Sequence, residues 1–125
     1  MARSHGGAPL IRIVLVAALL ALTATRATAQ DCSPTPRMSE EQSYAIKRAM
    51  VAEQHPGHRL GEYELDHRIP KCLGGSDDRS NLQLQPWPEA RAKDEDEAAA
   101  CALVREGVLT CEEAQDHMRE WRPTP

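Results

Sequence analysis

The pattern of apolar and polar positions predicts a short hairpin flanked by helical segments. Across residues 63–69 apolar or aromatic residues alternate with charged ones, which is typical of a strand with one apolar side. Pro70 ends the alternation, and the glycine pair Gly74 and Gly75 begins a turn rich in serine and aspartate. A second short strand is predicted near residues 82–84. The first strand of this hairpin carries ionisable side chains.

Three segments outside the hairpin have the boundary signals of helices. They cover residues 39–54, residues 89 to about 106, and the chain from residue 110 onward. Capping-box spacing, a proline suited to a first helical turn and a terminating glycine supply these signals. In chain order they are Ser39 with Gln42, Pro88, Gly107, and Thr110 with Glu113. Trp87 and Trp121 are expected in the core, because large aromatic side chains favour burial.

The N-terminus predicts a signal peptide. Arginines flank or enter an apolar run at residues 10–22, and small residues at positions 27–29 suit a cleavage site. The run is shorter than the roughly 20 apolar residues of a membrane-spanning helix. We therefore expect residues 1–29 to be removed and residues 30–125 to form one domain in a secreted or periplasmic protein. A retained N-terminal anchor is the alternative.

The expected mature chain is acidic. Cleavage after Ala29 removes three arginines and no acidic residue, so the formal net charge changes from -4 to -7. Affinity for a phosphate backbone draws on lysine and arginine, and this chain has no basic run. Several basic residues in or before the hairpin still permit a locally basic face. They are Lys47, Arg48, Arg59, Arg68 and Lys71.

Four cysteines remain after cleavage: Cys32, Cys72, Cys101 and Cys111. An even number in an exported chain favours disulfides, and the lack of a CxxC pair argues against a structural zinc site. Cys101 and Cys111 lie on consecutive helical segments, so we expect them to pair across the Gly107 turn and leave Cys32 for Cys72. A Cys32 to Cys101 bridge is the alternative.

The stretch YELDHRIPKCLGGSDDRSN, residues 63–81, resembles the HNH endonucleases of the ββα-metal superfamily. The shared pattern is met by Asp66, His67, Pro70, Gly74, Gly75, Asn81 and Leu82. The likeness extends to a group of small secreted bacterial proteins through Lys93, Asp94, Glu97, Gly107, Glu113, Ala114, Gln115 and Trp121. The resemblance implies an α+β fold, in which a short ββα-metal hairpin packs with about three helices and disulfides stabilise the whole.

The resemblance also implies roles for individual residues. The residue in the place of Asp66 binds a metal ion, the one in the place of His67 is the general base, and the one in the place of Asn81 bridges the loop. The histidine that the family carries on the following helix has no counterpart, since residues 82–100 contain none. We expect Asp94, or failing that Glu89, to replace it. Such a carboxylate-rich site prefers Mg²⁺ or Mn²⁺ to Zn²⁺.

Two functional hypotheses follow. The first is a secreted, metal-dependent endonuclease that hydrolyses phosphodiester bonds of DNA or RNA. The second is a non-catalytic secreted or envelope-associated binding protein with the same fold, because a fold does not guarantee activity. The negative charge and the missing histidine favour the second hypothesis, whereas the intact Asp66, His67 and Asn81 positions favour the first.

Overall fold

A two-stranded hairpin and three helices make up residues 31–125, the part of the chain that the computed structural model describes. The elements are α1 (Glu40–Gln54), β1 (Tyr63–His67), β2 (Leu82–Pro86), α2 (Trp87–Arg105) and α3 (Cys111–Glu120). The predicted α+β class is thereby confirmed, while the predicted signal peptide, residues 1–29, lies outside the described residues. Within residues 31–125 no helix combines the length and the apolar character needed to cross a bilayer.

Local hydrogen bonds start the helices where the sequence predicts. At the start of α1 the Ser39 hydroxyl accepts a hydrogen bond from the backbone amide of Gln42 at 3.2 Å. At the start of α3 the Thr110 hydroxyl accepts one from the backbone amide of Glu113 at 3.1 Å. The second helix starts at Trp87, two residues earlier than predicted. It is followed by Gly107, whose φ of 73° lies in the left-handed region that glycine tolerates best.

β1 and β2 are antiparallel, with Asp66 opposite Gln83 and His67 opposite Leu82. The predicted alternation of buried and exposed residues along β1 is wrong at two positions. Asp66 is buried, whereas Leu65 is only half-buried. The reason is that α2 packs across the hairpin and places the buried side chain of Lys93 against Asp66.

The core lies between the loop that follows β1 and the two C-terminal helices. It is formed by Ile69, Leu73, Ala100, Cys101, Ala114 and Met118, with Trp121 packed against it as expected. The prediction that Trp87 is a core residue is wrong, because its side chain is exposed at the start of α2. Its indole N–H instead donates to the Gly61 carbonyl at 2.8 Å.

Both disulfides differ from the predicted pairing. Cys32 bonds to Cys111 and Cys72 bonds to Cys101, with Cα separations of 5.6 and 6.0 Å, so neither the expected Cys101 to Cys111 bridge nor the alternative Cys32 to Cys101 bridge forms. The cause is tertiary packing. Cys101 faces the loop that contains Cys72 in the core. The N-terminal lead, residues 31–39, runs beside that loop and brings Cys32 to the start of α3.

The glycine pair lets the lead and the loop approach closely. A Cβ atom on Gly74 would lie 1.9 Å from the Asp31 carbonyl oxygen, and one on Gly75 would lie 1.7 Å from the Ile69 carbonyl oxygen. Thr35 completes the contact, since its amide donates to the Lys71 carbonyl and its hydroxyl to the Gly75 carbonyl. Glycine is therefore required here for space, because the backbones themselves are in contact.

We predict that Gly75→Ala destabilises the protein by more than about 3 kcal/mol or prevents folding, because the clash is with backbone that cannot move aside. Gly61→Ala is the matched control, since a Cβ there meets no atom within 4 Å. Urea denaturation of both variants measures the difference. Equal stabilities would show that the loop relaxes without cost.

Candidate functional site

A cavity of about 650 Å³ lies beside the end of β1. The N-terminal lead, α1, β1, the following loop and α2 all contribute to its wall. Asp66 and His67 both line it although they are neighbours on one strand, and so does Asp94. The predicted alternative ligand Glu89 is not part of this wall. The other charged side chains of the wall are Arg37, Glu40, Lys47, Glu64, Lys71 and Glu97.

Asp66 is fully engaged by neighbouring side chains. One oxygen, Oδ2, accepts from the Gln83 amide at 2.7 Å, and Lys93 Nζ lies 3.1 Å from Oδ1 and 3.0 Å from Oδ2. The same ammonium donates to the His67 carbonyl at 2.8 Å and to Glu97 Oε1 at 2.5 Å. Only 1% of the Lys93 side chain is exposed. A buried lysine thus satisfies a buried aspartate and fixes the backbone of the adjacent histidine.

His67 makes a different contact with the loop. Its Nε2 lies 2.8 Å from Asp77 Oδ1, which also receives the Lys71 ammonium at 2.6 Å. The hydrogen bond from Lys71, and then that from His67, hold the pKa of Asp77 below its ordinary value although partial desolvation opposes this shift. Because an ionised Asp77 can only accept a hydrogen bond, it favours the tautomer with the proton on Nε2 and the lone pair on Nδ1. No hydrogen bond to Nδ1 is made by residues 31–125.

Asn81 closes the loop between the strands. Its Oδ1 accepts from the Ile69 amide at 2.9 Å, and its Nδ2 donates to the Ile69 and Ser76 carbonyls at 3.0 and 2.9 Å. The Asn81 carbonyl accepts from the Arg68 amide at 2.7 Å. These bonds occupy both ends of the side-chain amide and hold the segment directly after His67. This is the position across the loop that the resemblance implies for Asn81.

Carboxylates crowd the β1 and α2 side of the cavity. Partial burial raises the pKa of Glu64, and the charges of Asp94, Asp66 and Glu97 raise it further despite the opposing effect of Lys93. Burial also raises the pKa of Glu97, against the hydrogen bond from Lys93. Glu64 Oε2 is buried and has no hydrogen-bond partner among the described residues. This side of the cavity therefore has a negative potential.

The side chains around Asp66 do not fit a divalent metal ion as they stand. Both Asp66 oxygens already accept hydrogen bonds, and a metal ion there would meet the Lys93 ammonium. Residues 31–125 contain no group of three or more histidine, cysteine, aspartate or glutamate side chains placed to hold a metal ion. Asp94 shares the cavity with Asp66 without completing such a group, and Glu89 lies elsewhere.

Two residues of the site were missed from the sequence. Asp77 was interpreted as turn chemistry only, and its contact with His67 depends on the path of the loop between β1 and β2, in which Asp77 lies ten positions after His67. Lys93 was named only among the residues of the resemblance, and its burial was not predicted. Its four-residue spacing from Glu97 was a usable signal for their ion pair, since residues at i and i+4 meet on a helix.

No protein-family model, curated protein or solved structure matches this chain. The likeness to the HNH endonucleases therefore remains a resemblance of motifs. The functional argument depends on the side chains described above.

We predict that Asn81→Asp destabilises the protein by about 2 kcal/mol or more. A carboxylate has nearly the same shape, but it cannot donate to the Ile69 and Ser76 carbonyls and would place its charge against them. Urea denaturation near neutral pH measures the loss. Ser80→Ala, on the same turn and exposed, serves as the control. A loss of less than about 0.5 kcal/mol would show that Asn81 does not hold the loop.

We predict that Glu64→Gln stabilises the protein near neutral pH. Because folding raises the pKa of Glu64, the ionised carboxylate destabilises the folded protein. This cost disappears as pH falls below the ordinary pKa of 4.5, where Glu64 is protonated in the folded and the unfolded protein alike. The variant should therefore gain stability over wild type at neutral pH and lose that gain near about pH 4. The exposed Glu95→Gln is the control. A gain that is constant with pH would rule out this cause.

Proposed function

We propose that the protein is a secreted or periplasmic endonuclease of the HNH type that hydrolyses phosphodiester bonds of DNA or RNA. The observation that carries this proposal is His67, which lies on the cavity with Nε2 held by Asp77 and Nδ1 left without a partner among the described residues. A histidine in this state is suited to general-base work near neutral pH. The two disulfides agree with an oxidising compartment.

In the proposed hydrolytic step His67 accepts one proton from water. A water molecule beside Nδ1 gives up a proton to the ring as its oxygen forms a bond to phosphorus, and the bond from phosphorus to the leaving sugar oxygen breaks. The leaving oxygen takes a proton from solvent. Asp77 favours this step because its carboxylate stabilises the imidazolium that forms, and it orients the ring through Nε2.

Side chains of the lead and α1 supply the means to bind substrate. Arg37 and Lys47 line the cavity and offer positive charge to a phosphate group, whereas Lys71 is already paired with Asp77. Tyr44 lines the same side and is 58% exposed, which leaves its ring available for stacking on a base. Phosphate contact and base stacking together suit an unpaired nucleic-acid strand.

The resemblance also implies a divalent metal ion, with Mg²⁺ or Mn²⁺ preferred and with Asp66 and Asp94 as its ligands. This cofactor would supply positive charge to the phosphate. Asp66 is already bonded to Gln83 and Lys93 and therefore does not fit a metal ion. No step described above depends on one. The ion pair between Asp66 and Lys93 favours the second candidate function, a non-catalytic binding protein, in which these two residues are structural.

We predict that purified protein lacking residues 1–29 cleaves single-stranded DNA or RNA and that His67→Ala lowers the rate by about 10² to 10⁴-fold, the usual contribution of a general base. Asp77→Asn should lower it by a smaller factor, because the ring remains but loses its orienting charge. His117→Ala, on the exposed face of α3, is the matched control.

Circular dichroism and thermal unfolding establish that each variant is folded. A folded His67→Ala protein with wild-type activity would remove His67 from the mechanism. The absence of cleavage by wild type, with or without added Mg²⁺ or Mn²⁺, would leave the non-catalytic function.

A further inference from the structure

We propose that the Lys93 ammonium is the resident cation of the Asp66 site and takes the place that the HNH resemblance assigns to a divalent metal ion. The proposal concerns occupancy of Asp66. Only its consequence for catalysis rests on the proposed nuclease function.

The surroundings of the Lys93 ammonium are those of a bound cation. Its Nζ donates to three groups through their oxygen atoms: the carboxylates of Asp66 and Glu97 and the backbone carbonyl of His67, at 2.5 to 3.1 Å. Carboxylate and carbonyl oxygens are also the ligands that hard divalent ions prefer. An ammonium has three protons to donate, and three separate groups receive them here. The lysine thus uses its full donor capacity at this point.

Burial makes this arrangement exclusive. The Lys93 side chain is 1% exposed, and Ala90, one turn earlier on α2, is also buried. A metal ion at Asp66 would have to displace the ammonium, which would then lose both carboxylates without access to water. The alternative of both cations sharing Asp66 is opposed by their mutual repulsion and by the Gln83 amide already on Oδ2. Asp66 is therefore closed to a second cation.

The hydrogen bond from Lys93 to the His67 carbonyl orients His67. Lys93 donates to the His67 carbonyl at 2.8 Å and to the carboxylate of Asp66, the preceding residue. These two bonds fix the end of β1 and thus the direction of the His67 ring. Its burial keeps it from touching substrate, so Lys93 is a positioning residue. In a site of this kind the ring would keep its orientation when chelator removes divalent ions.

Metal binding tests the proposal without reference to activity. Mn²⁺ binding is measured by calorimetry and electron paramagnetic resonance on wild type, Asp66→Asn, Lys93→Ala and the double variant, with the less buried Lys47→Ala as the matched control. Wild type should show no binding that depends on Asp66. Lys93→Ala should gain at least about ten-fold in affinity by freeing Asp66 and Glu97, and the double variant should lose the gain. Lys47→Ala should match wild type.

Two outcomes of this titration would overturn the proposal. One is Mn²⁺ binding by wild type that Asp66→Asn abolishes. The other is a folded Lys93→Ala protein that binds no more tightly than wild type.

A second measurement covers the case in which Lys93→Ala does not fold. In wild type labelled with ¹⁵N-lysine, the buried Lys93 ammonium should give a slowly exchanging proton signal, distinguished from Lys47 and Lys71 by their arginine variants. The signal should persist in excess Mg²⁺. Its disappearance on Mg²⁺ addition and its return with chelator would show that the metal ion displaces Lys93.

The catalytic consequence is measured separately. If wild type cleaves nucleic acid, chelator should change the rate by less than a few-fold. A rate that chelator abolishes and Mg²⁺ restores would contradict the catalytic consequence, and binding that requires Asp66 would overturn the occupancy itself. If no variant cleaves under any condition, the proposed nuclease function fails, and the Mn²⁺ and ammonium measurements still decide the occupancy of Asp66.

Discussion

The ion pair between Lys93 and Asp66 is the interaction on which the rest of the site depends. It joins the middle of α2 to the end of β1, and the same ammonium holds the His67 carbonyl. Losing one partner of a buried pair typically costs about 3 to 5 kcal/mol, because the other charge is left without compensation. The pair therefore fixes how α2 crosses the hairpin. This crossing in turn sets which side chains of β1 reach the cavity.

The loop after β1 is held with comparable strictness. Asn81 closes it from inside, the disulfide from Cys72 ties it to α2, and the close approach at Gly75 leaves no space for a side chain. His67 thus lies between two rigid attachments, α2 on one side and the loop on the other. The loop also delivers Asp77 to the ring. Such support by surrounding residues keeps a functional side chain in one orientation.

Features set by neighbouring residues were predictable, and features set by distant packing were not. The capping boxes at Ser39 and Thr110 depend on three-residue spacing, so the helix starts could be derived from the sequence. The burial of Lys93 and the partner of Asp77 depend on how α2 and the loop meet, for which no local signal exists. The predicted disulfide pairing was wrong for the same reason, since four cysteines allow three connectivities and tertiary packing determines which one forms.

The cavity divides its charge in a way that an acidic nuclease would need. The side made by the lead and α1 carries Arg37 and Lys47 against one acid, Glu40. The β1 and α2 side carries four carboxylates, and the ammonium of Lys93 lies buried behind two of them, Asp66 and Glu97. Burial is the main cause of the raised pKa of Glu64, and the neighbouring charges of Asp94, Asp66 and Glu97 raise this pKa further. Because charges interact strongly over such short distances, a phosphate chain entering this cavity would be repelled from α2 and attracted towards α1. His67 lines the same cavity, so a phosphate bound beside Arg37 and Lys47 would share that cavity with its ring.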